Sequence, residues 1–101
     1  NQKKVSTLVR KFAQSAKKNN LDGIVCSPKE IKYIRKEIGN DFIIVTPGIR
    51  IDKKIKSDDQ KRVETPKRAI DLGANFIVIG RPITQSKDPL KVLKEINKTL
   101  I

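Results

Sequence analysis

The sequence Phe-Ile-Val-Ile-Gly-Arg-Pro-Ile-Thr at residues 76–84 decides the fold class of this chain. Four apolar residues, three of them β-branched, stop at Gly80 and Arg81, and a polar turn follows. A short apolar run of this kind is typical of a strand in a parallel sheet that is covered on both faces. The end of such a strand would present a backbone N–H group and a guanidinium, which are donors suited to an anion.

A second stretch ends in a similar way. Residues 41–45 read Asp-Phe-Ile-Ile-Val, and Thr-Pro-Gly-Ile-Arg follows at residues 46–50. Either Arg50 or Arg81 taken alone could be an ordinary surface charge. Two arginines after neighbouring strands, joined by a long loop that carries Gln60, match the phosphate pocket that barrel enzymes build after their last two strands. The sequence therefore predicts a phosphate site at the carboxyl ends of these strands.

The rest of the chain alternates between helical and strand patterns. Apolar residues recur at helical spacing over residues 3–18, and we expect strands at 21–26, 41–46 and 76–80. Residues 50–64 are charged and lack periodicity, as expected of a binding loop or lid. Three parallel strands alternating with four helices predict an α/β architecture. We expect residues 1–101 to form a single partial domain.

Three of the predicted helices begin at a proline. Ser27 precedes Pro28, Thr65 precedes Pro66 and Asp88 precedes Pro89. A small polar residue before a proline is a typical helix start, and we expect Ser27 to accept from a free N–H group with Glu30 completing a capping box. In the last helix we expect the inner side to carry the apolar residues Leu90, Leu93, Ile96 and Leu100.

The composition excludes several classes of function. The chain has no His and a single Cys, which argues against zinc sites and against Ser-His or Cys-His triads. Cys26 lies in an apolar run and is predicted to be a small buried residue. The net charge of +12 comes from basic residues spread along the chain, 17 of 23 of them Lys, and only four aromatics are present. We therefore expect no nucleic-acid partner. No apolar run approaches the roughly 18 residues of a membrane span, so we expect no membrane partner, and the single cysteine favours a reducing, cytoplasmic location.

Four stretches together resemble bacterial orotidine 5′-phosphate decarboxylase. They are Leu-Asp-Gly-Ile-Val-Cys-Ser at 21–27, Asp-Phe-Ile-Ile-Val-Thr-Pro-Gly-Ile-Arg at 41–50, Asp-Asp-Gln-Lys-Arg-Val at 58–63 with Thr65-Pro66, and Gly-Arg-Pro-Ile-Thr at 80–84. They occur in the family's order and at nearly its spacing. The resemblance implies the carboxyl-terminal part of a (β/α)8 TIM barrel. Related barrel decarboxylases and aldolases share the phosphate rim, but the stretches at 46–50 and 59–62 favour the orotidine enzyme.

The resemblance implies an activity and roles for individual residues. The family decarboxylates orotidine 5′-phosphate to UMP and CO2, the last step of de novo pyrimidine synthesis, without metal or cofactor. By position, Gly80, Arg81, Gln60 and Arg50 are implied to bind the substrate phosphate, and Pro47 to line the pyrimidine side of the pocket. The loop between Arg50 and Gln60 is implied to close over the phosphate.

The family's catalytic motif, Asp-x-Lys-x-x-Asp, is expected before residue 1. The Asp-x-Lys at residues 52–54 has Ser57 where the motif has its second Asp. We therefore predict no catalytic residue in this chain and no activity of the chain alone. The missing amino-terminal half or a homodimer partner is expected to complete it, whether the chain is a fragment, a split-gene subunit or a remnant. A nucleotide-phosphate-binding module without chemistry and a basic nucleic-acid binder are the alternatives.

Overall fold

The computed structural model describes residues 2–50 and 65–100. In these ranges the chain alternates helices and strands, as the sequence predicts. The elements are α1 (Gln2–Lys18), β1 (Gly23–Val25), a 3-10 turn (Pro28–Glu30), α2 (Ile31–Ile38), β2 (Ile43–Thr46), α3 (Pro66–Leu72), β3 (Phe76–Ile77), α4 (Arg81–Thr84) and α5 (Pro89–Leu100).

The three strands form one parallel sheet in the order β1-β2-β3. Val25 pairs with Val45, which in turn pairs with Phe76, so one row of side chains crosses all three strands. Thr46 pairs with Ile77 in the next row. This register places the carboxyl ends of β2 and β3 side by side, and the segments after them therefore leave the sheet together.

Helices cover one face of the sheet. Ile44 of β2 is fully buried and packs in a cluster with Ala13 of α1, Ile31 and Ile34 of α2, and Ala69 of α3. Alternate strand residues point to opposite faces, so Ile43 and Val45 face away from this cluster. The core of the described residues therefore lies on one side of the sheet.

Arg35 cross-links the amino-terminal edge of the sheet. Its guanidinium donates to the carbonyl oxygens of Gly39 (3.1 Å), Phe42 (2.6 Å) and Gly73 (2.6 and 3.1 Å), and to Oδ1 of Asn75 (2.8 Å). The same Asn75 oxygen accepts from the Ile44 N–H at 2.8 Å. One cation thus joins α2, the start of β2 and the start of β3.

The predicted helix starts are confirmed in part. Thr65 caps α3, because its Oγ1 accepts from the Arg68 N–H at 3.3 Å, and Asp88 Oδ1 accepts from the Lys91 N–H at 3.2 Å. The prediction that Ser27 accepts from a free backbone N–H group is wrong. The Ser27 hydroxyl donates to the Glu30 carboxylate instead of accepting from a backbone N–H, and a 3-10 turn precedes α2.

Three further expectations need correction. All three strands are shorter than predicted, although the Val78 N–H still donates to the Thr46 carbonyl at 2.9 Å beyond the end of β3. The turn after Gly80 is a one-turn helix, α4, so the described residues contain five α-helices where four were predicted. It forms because the Gly80 carbonyl accepts from the N–H groups of Ile83 (2.9 Å) and Thr84 (3.1 Å). A proline is tolerated in such a first turn, where its missing N–H needs no partner.

Fewer apolar residues of α5 are buried than predicted. Ile96 is buried, but Leu90 and Leu93 are exposed. α5 packs against α3 and α4 on the side that carries Ile96. Leu90 and Leu93 lie further round the helix, beyond the reach of those two short helices.

We predict that Arg35→Met destabilises the chain by about 2–4 kcal/mol, since three part-buried carbonyl oxygens and the exposed Asn75 Oδ1 lose their charged donor while the apolar stem is kept. Urea unfolding followed by circular dichroism measures this change. Lys67→Ala is the matched control, because the ion pair that Lys67 forms with Asp71 is exposed and its loss should cost less than about 1 kcal/mol. Equal midpoints for the two variants would contradict the role given to Arg35.

Candidate functional site

A cleft of about 790 Å³ opens at the carboxyl ends of β2 and β3. The residues that line it come from the segment after β2, from the end of β3 and from α4 and the turn that follows. They are Gly48, Ile49, Arg50, Val78, Gly80, Arg81, Pro82, Gln85 and Ser86. The structure thus brings Arg50, Gly80 and Arg81 to one place.

Arg50 reaches the cleft because the residue before it is anchored. Ile49 is only 3 % exposed and belongs to the hydrophobic core, and Gly48 turns the chain with a φ of 76°. A residue with a side chain adopts this left-handed conformation only at a cost. The turn and the buried Ile49 therefore fix where Arg50 leaves the sheet, while its own side chain stays exposed.

Gly80 and Arg81 form the opposite side of the cleft. Ile83 is the first residue of α4 whose N–H bonds back to the Gly80 carbonyl, so the Gly80 and Arg81 N–H groups precede the first bonded donor of the helix. A Cβ built on Gly80 would meet no atom within 4 Å. A ligand therefore has room to approach this backbone closely.

The cleft is electropositive. Two guanidinium groups line it, and no carboxylate does so among the residues that the structure describes. A guanidinium keeps its charge at any physiological pH and can donate two parallel hydrogen bonds to one phosphate. The arrangement suits a phosphate dianion bound between Arg50 and Arg81.

Two other predicted site residues are not brought to the cleft by the described structure. Gln60 lies outside the described residues. Pro47 is exposed and directly precedes Gly48, but it is not among the lining residues. The predicted loop at residues 50–64 is likewise outside the described ranges beyond Arg50.

The sequence reasoning missed Gln85 and Ser86. Gln85 directly follows α4, four residues after Arg81, and its N–H donates to the Arg81 carbonyl at 2.9 Å, which keeps the two residues on the same side of the turn. The Ser86 hydroxyl accepts from the Asp88 N–H at 3.1 Å, which ties the end of the cleft to the start of α5. Reading Gly80-Arg81-Pro82 as a helix start would have placed Gln85 beside Arg81.

Within the described residues, no group of three or more His, Cys, Asp and Glu side chains could hold a metal ion. No helix in the same ranges is long and apolar enough to cross a bilayer.

Comparison with known proteins identifies the family. The model of the orotidine 5′-phosphate decarboxylase / HUMPS family matches residues 1–96. The chain belongs to this family. Orotidine 5′-phosphate decarboxylase of Coxiella burnetii is 50% identical over 99 residues, which cover 98% of this chain and 42% of that protein. The Neisseria meningitidis serogroup A enzyme is 47% identical over 90 residues, covering 89% of this chain and 37% of that protein.

Solved structures agree with the family assignment. The orotidine 5′-phosphate decarboxylase of Lactobacillus acidophilus superposes with a TM-score of 0.78 at 38% identity, covering 95% of this chain and 38% of that one. The Pyrococcus horikoshii enzyme gives 0.74 at 25% identity, with 93% and 42% covered. These neighbours are TIM barrels, so the family member described here is part of a (β/α) barrel and spans about two fifths of the length of its relatives.

Cys26 is buried, as predicted, and its thiol is hard to ionise. Burial is the largest effect that raises its pKa from 9.0 to about 11; the Glu30 carboxylate also raises the pKa, and Arg35 lowers it. The thiolate is the reactive form of a cysteine. This position therefore contributes packing rather than a nucleophile.

We predict that iodoacetamide alkylates Cys26 in the folded chain about 100-fold more slowly at pH 8 than in the urea-unfolded chain, because each unit of pKa changes the thiolate fraction about tenfold. In the unfolded chain the rate should level off above about pH 9, whereas in the folded chain it should keep rising towards about pH 11. Mass spectrometry of quenched samples gives both profiles. Superimposable profiles would show that the fold does not protect this thiol.

Proposed function

We propose that this chain supplies the 5′-phosphate-binding part of an orotidine 5′-phosphate decarboxylase, which converts orotidine 5′-phosphate to UMP and CO2. The observation that carries the proposal is the cleft in which Arg50, Gly80 and Arg81 meet. Relatives with 47% and 50% identity bear this enzyme's name. Both facts point to the same ligand, a nucleoside 5′-monophosphate.

Each residue has a part in the proposed grip. The Arg50 and Arg81 guanidinium groups bind the phosphate from opposite sides, and the N–H groups of Gly80 and Arg81 complete the contact. Gln60 is proposed as a further phosphate ligand, and Pro47 as the residue that lines the pyrimidine side. Both assignments rest on the resemblance of the sequence to the family.

The proposed phosphate contacts lie at a distance from the C–C bond that breaks in decarboxylation. Binding energy from a non-reacting part of a substrate can be used to orient and distort the reacting part. The decarboxylation itself requires acid–base residues, which we place in the Asp-x-Lys-x-x-Asp motif that this sequence lacks. We therefore propose that the chain is inactive alone and acts with a partner, either the complementary part of the barrel or a second subunit.

We predict that Arg81→Ala weakens UMP binding by about 10- to 100-fold at low salt, since each hydrogen bond between a charged donor and its acceptor contributes roughly 1.5–3 kcal/mol. Arg81→Lys should fall between that variant and the wild type, because it keeps the charge but loses the fork. Isothermal titration calorimetry at several UMP concentrations measures the three affinities.

Lys67→Ala is the matched control for this titration, because it removes one exposed positive charge outside the cleft. It should change the UMP affinity less than twofold. If Arg81→Ala and Lys67→Ala weakened UMP and a polyanion such as heparin equally, general electrostatic attraction would explain the binding and the basic nucleic-acid binder would be favoured.

We also predict that the purified chain does not decarboxylate orotidine 5′-phosphate. The ultraviolet absorbance of the substrate should stay constant over hours, while the full-length Coxiella burnetii enzyme, as the positive control, depletes it in the same buffer. Turnover that co-purifies with the chain and disappears in Arg81→Ala would contradict the proposal that the catalytic residues lie elsewhere.

A further inference from the structure

Two residues that line the cleft have no part in the phosphate contacts proposed above. Gln85 and Ser86 lie in the turn that directly follows α4. They bring a carboxamide and a hydroxyl to a cleft whose other polar side chains, among the described residues, are the guanidinium groups of Arg50 and Arg81. Both groups donate hydrogen bonds without carrying a charge. They are therefore candidates for further ligands of the same anion.

The backbone around Arg81 offers few donors to an anion. Pro82 has no N–H group, and the N–H groups of Ile83 and Thr84 both donate to the Gly80 carbonyl, at 2.9 and 3.1 Å. The N–H groups of Gly80 and Arg81 are left. The three terminal oxygens of a phosphate monoester are strong acceptors, and each can accept more than one hydrogen bond. Further donors on this side of the cleft must therefore come from side chains.

Gln85 is held beside Arg81 by its backbone. The Gln85 N–H donates to the Arg81 carbonyl at 2.9 Å where α4 ends. The side chain is exposed, and its carboxamide forms no hydrogen bond with any other residue that the structure describes. Within the described ranges, its two N–H donors are thus available to a ligand in the cleft.

Ser86 already has a role in the turn. Its hydroxyl oxygen accepts from the Asp88 N–H at 3.1 Å, and the residue is half-buried at the start of α5. This bond holds the segment that follows Gln85. We therefore assign the contact with the anion to Gln85 and the support of the turn to Ser86.

The charge of the described lining is that of two guanidinium groups, because Gln85 is neutral and none of the described lining residues is a carboxylate. A phosphate monoester carries between about −1.5 and −2 at pH 7. Arg50 and Arg81 match this charge, so a neutral donor adds a contact without an excess of positive charge. A diphosphate carries additional negative charge, for which the described lining provides no further cation.

We propose that the Gln85 carboxamide is a further ligand of the phosphate, and that its lack of charge matches the cleft to a phosphate monoester rather than to a diphosphate. The inference deepens the proposed function and rests on it for the identity of the ligand, a nucleoside 5′-monophosphate. The contact itself is with the phosphate, so inorganic phosphate is the simplest probe.

The direct test is an NMR titration of the isotopically labelled chain with inorganic phosphate at about pH 7.5, where the dianion predominates. The absence of the Gln85 side-chain NH2 signals in Gln85→Ala assigns them in the wild type. They should shift and saturate at the same phosphate concentration as the backbone signals of Gly80 and Arg81. Gln14 is the internal control, because it is an exposed glutamine of α1 outside the cleft, and its NH2 signals should not move. Gln85 signals that stay in place while those of Gly80 and Arg81 shift would overturn the proposal.

Affinities give a second test. Gln85→Ala should weaken the binding of UMP and of inorganic phosphate by the same factor, about 3- to 10-fold, because the lost hydrogen bond is to the phosphate. Gln14→Ala, the matched control, should change either affinity less than twofold. An unchanged UMP affinity in Gln85→Ala would refute the contact, and a loss confined to UMP would place Gln85 against the nucleoside instead.

Gln85→Lys tests the match of charge. It should raise the ratio of the UDP affinity to the UMP affinity about fivefold, since one additional pair of unit charges about 4 Å apart gains roughly that factor even in water. Gln14→Lys makes the same change in net charge away from the cleft and should leave the ratio within twofold. Equal ratios in the two lysine variants would contradict the selectivity assigned to Gln85.

The two proposals fail in different ways. UMP binding that Arg81→Ala abolishes and Gln85→Ala leaves unchanged would refute the role of Gln85 and leave the proposed function standing. Shifts of the Gln85 signals with inorganic phosphate, in a chain that does not bind UMP, would refute the proposed function and leave Gln85 as an anion ligand.

Discussion

The hydrogen bonds of Arg35 are the interaction on which the rest of the structure depends. The strands are short, with two to four residues each, so their own ladder does little to fix how they pair. Arg35 and Asn75 link the residues just before β2 and β3 at the amino-terminal edge of the sheet. A slip of one residue would move every apolar side chain of a strand to the other face. It would also separate the segments that leave the opposite edge, and Arg50 and Arg81 would no longer meet.

The features of this architecture that could be predicted are those that depend on residues close together in the sequence. Gly80-Arg81 after an apolar run, and Arg50 after another, placed three cleft residues at one edge because parallel strands that alternate with helices must end on the same side. The helix start at Thr65-Pro66 could also be predicted, since a side-chain cap and the fixed φ of proline act within a few residues. Family resemblance added the ligand class, which spacing alone did not provide.

What was missed depends on contacts between distant residues. Arg35 lies in a helix among other basic residues, and nothing in its neighbours shows that its guanidinium is bonded to Gly73 and Asn75, 38 and 40 positions later. The exposure of Leu90 and Leu93 is another such case. Their helical spacing correctly shows an apolar stripe, but the width that is covered depends on how much of α3 and α4 lies against it. Periodicity reports which residues favour burial, and the neighbouring elements decide which of them become buried.

Val78 connects the cleft with the face of the sheet opposite the helices, because it lines the cleft and is also half exposed on that face. Whatever covers this face would therefore exclude water from one wall of the proposed anion site. The attraction between a guanidinium and a phosphate grows as the local dielectric constant falls, and salt screens it less once the pair is buried. Closing the barrel would thus strengthen the phosphate contacts proposed for Arg50 and Arg81 without changing either residue. The affinity proposed for phosphate would therefore depend on whether this wall is covered, as well as on the two arginines.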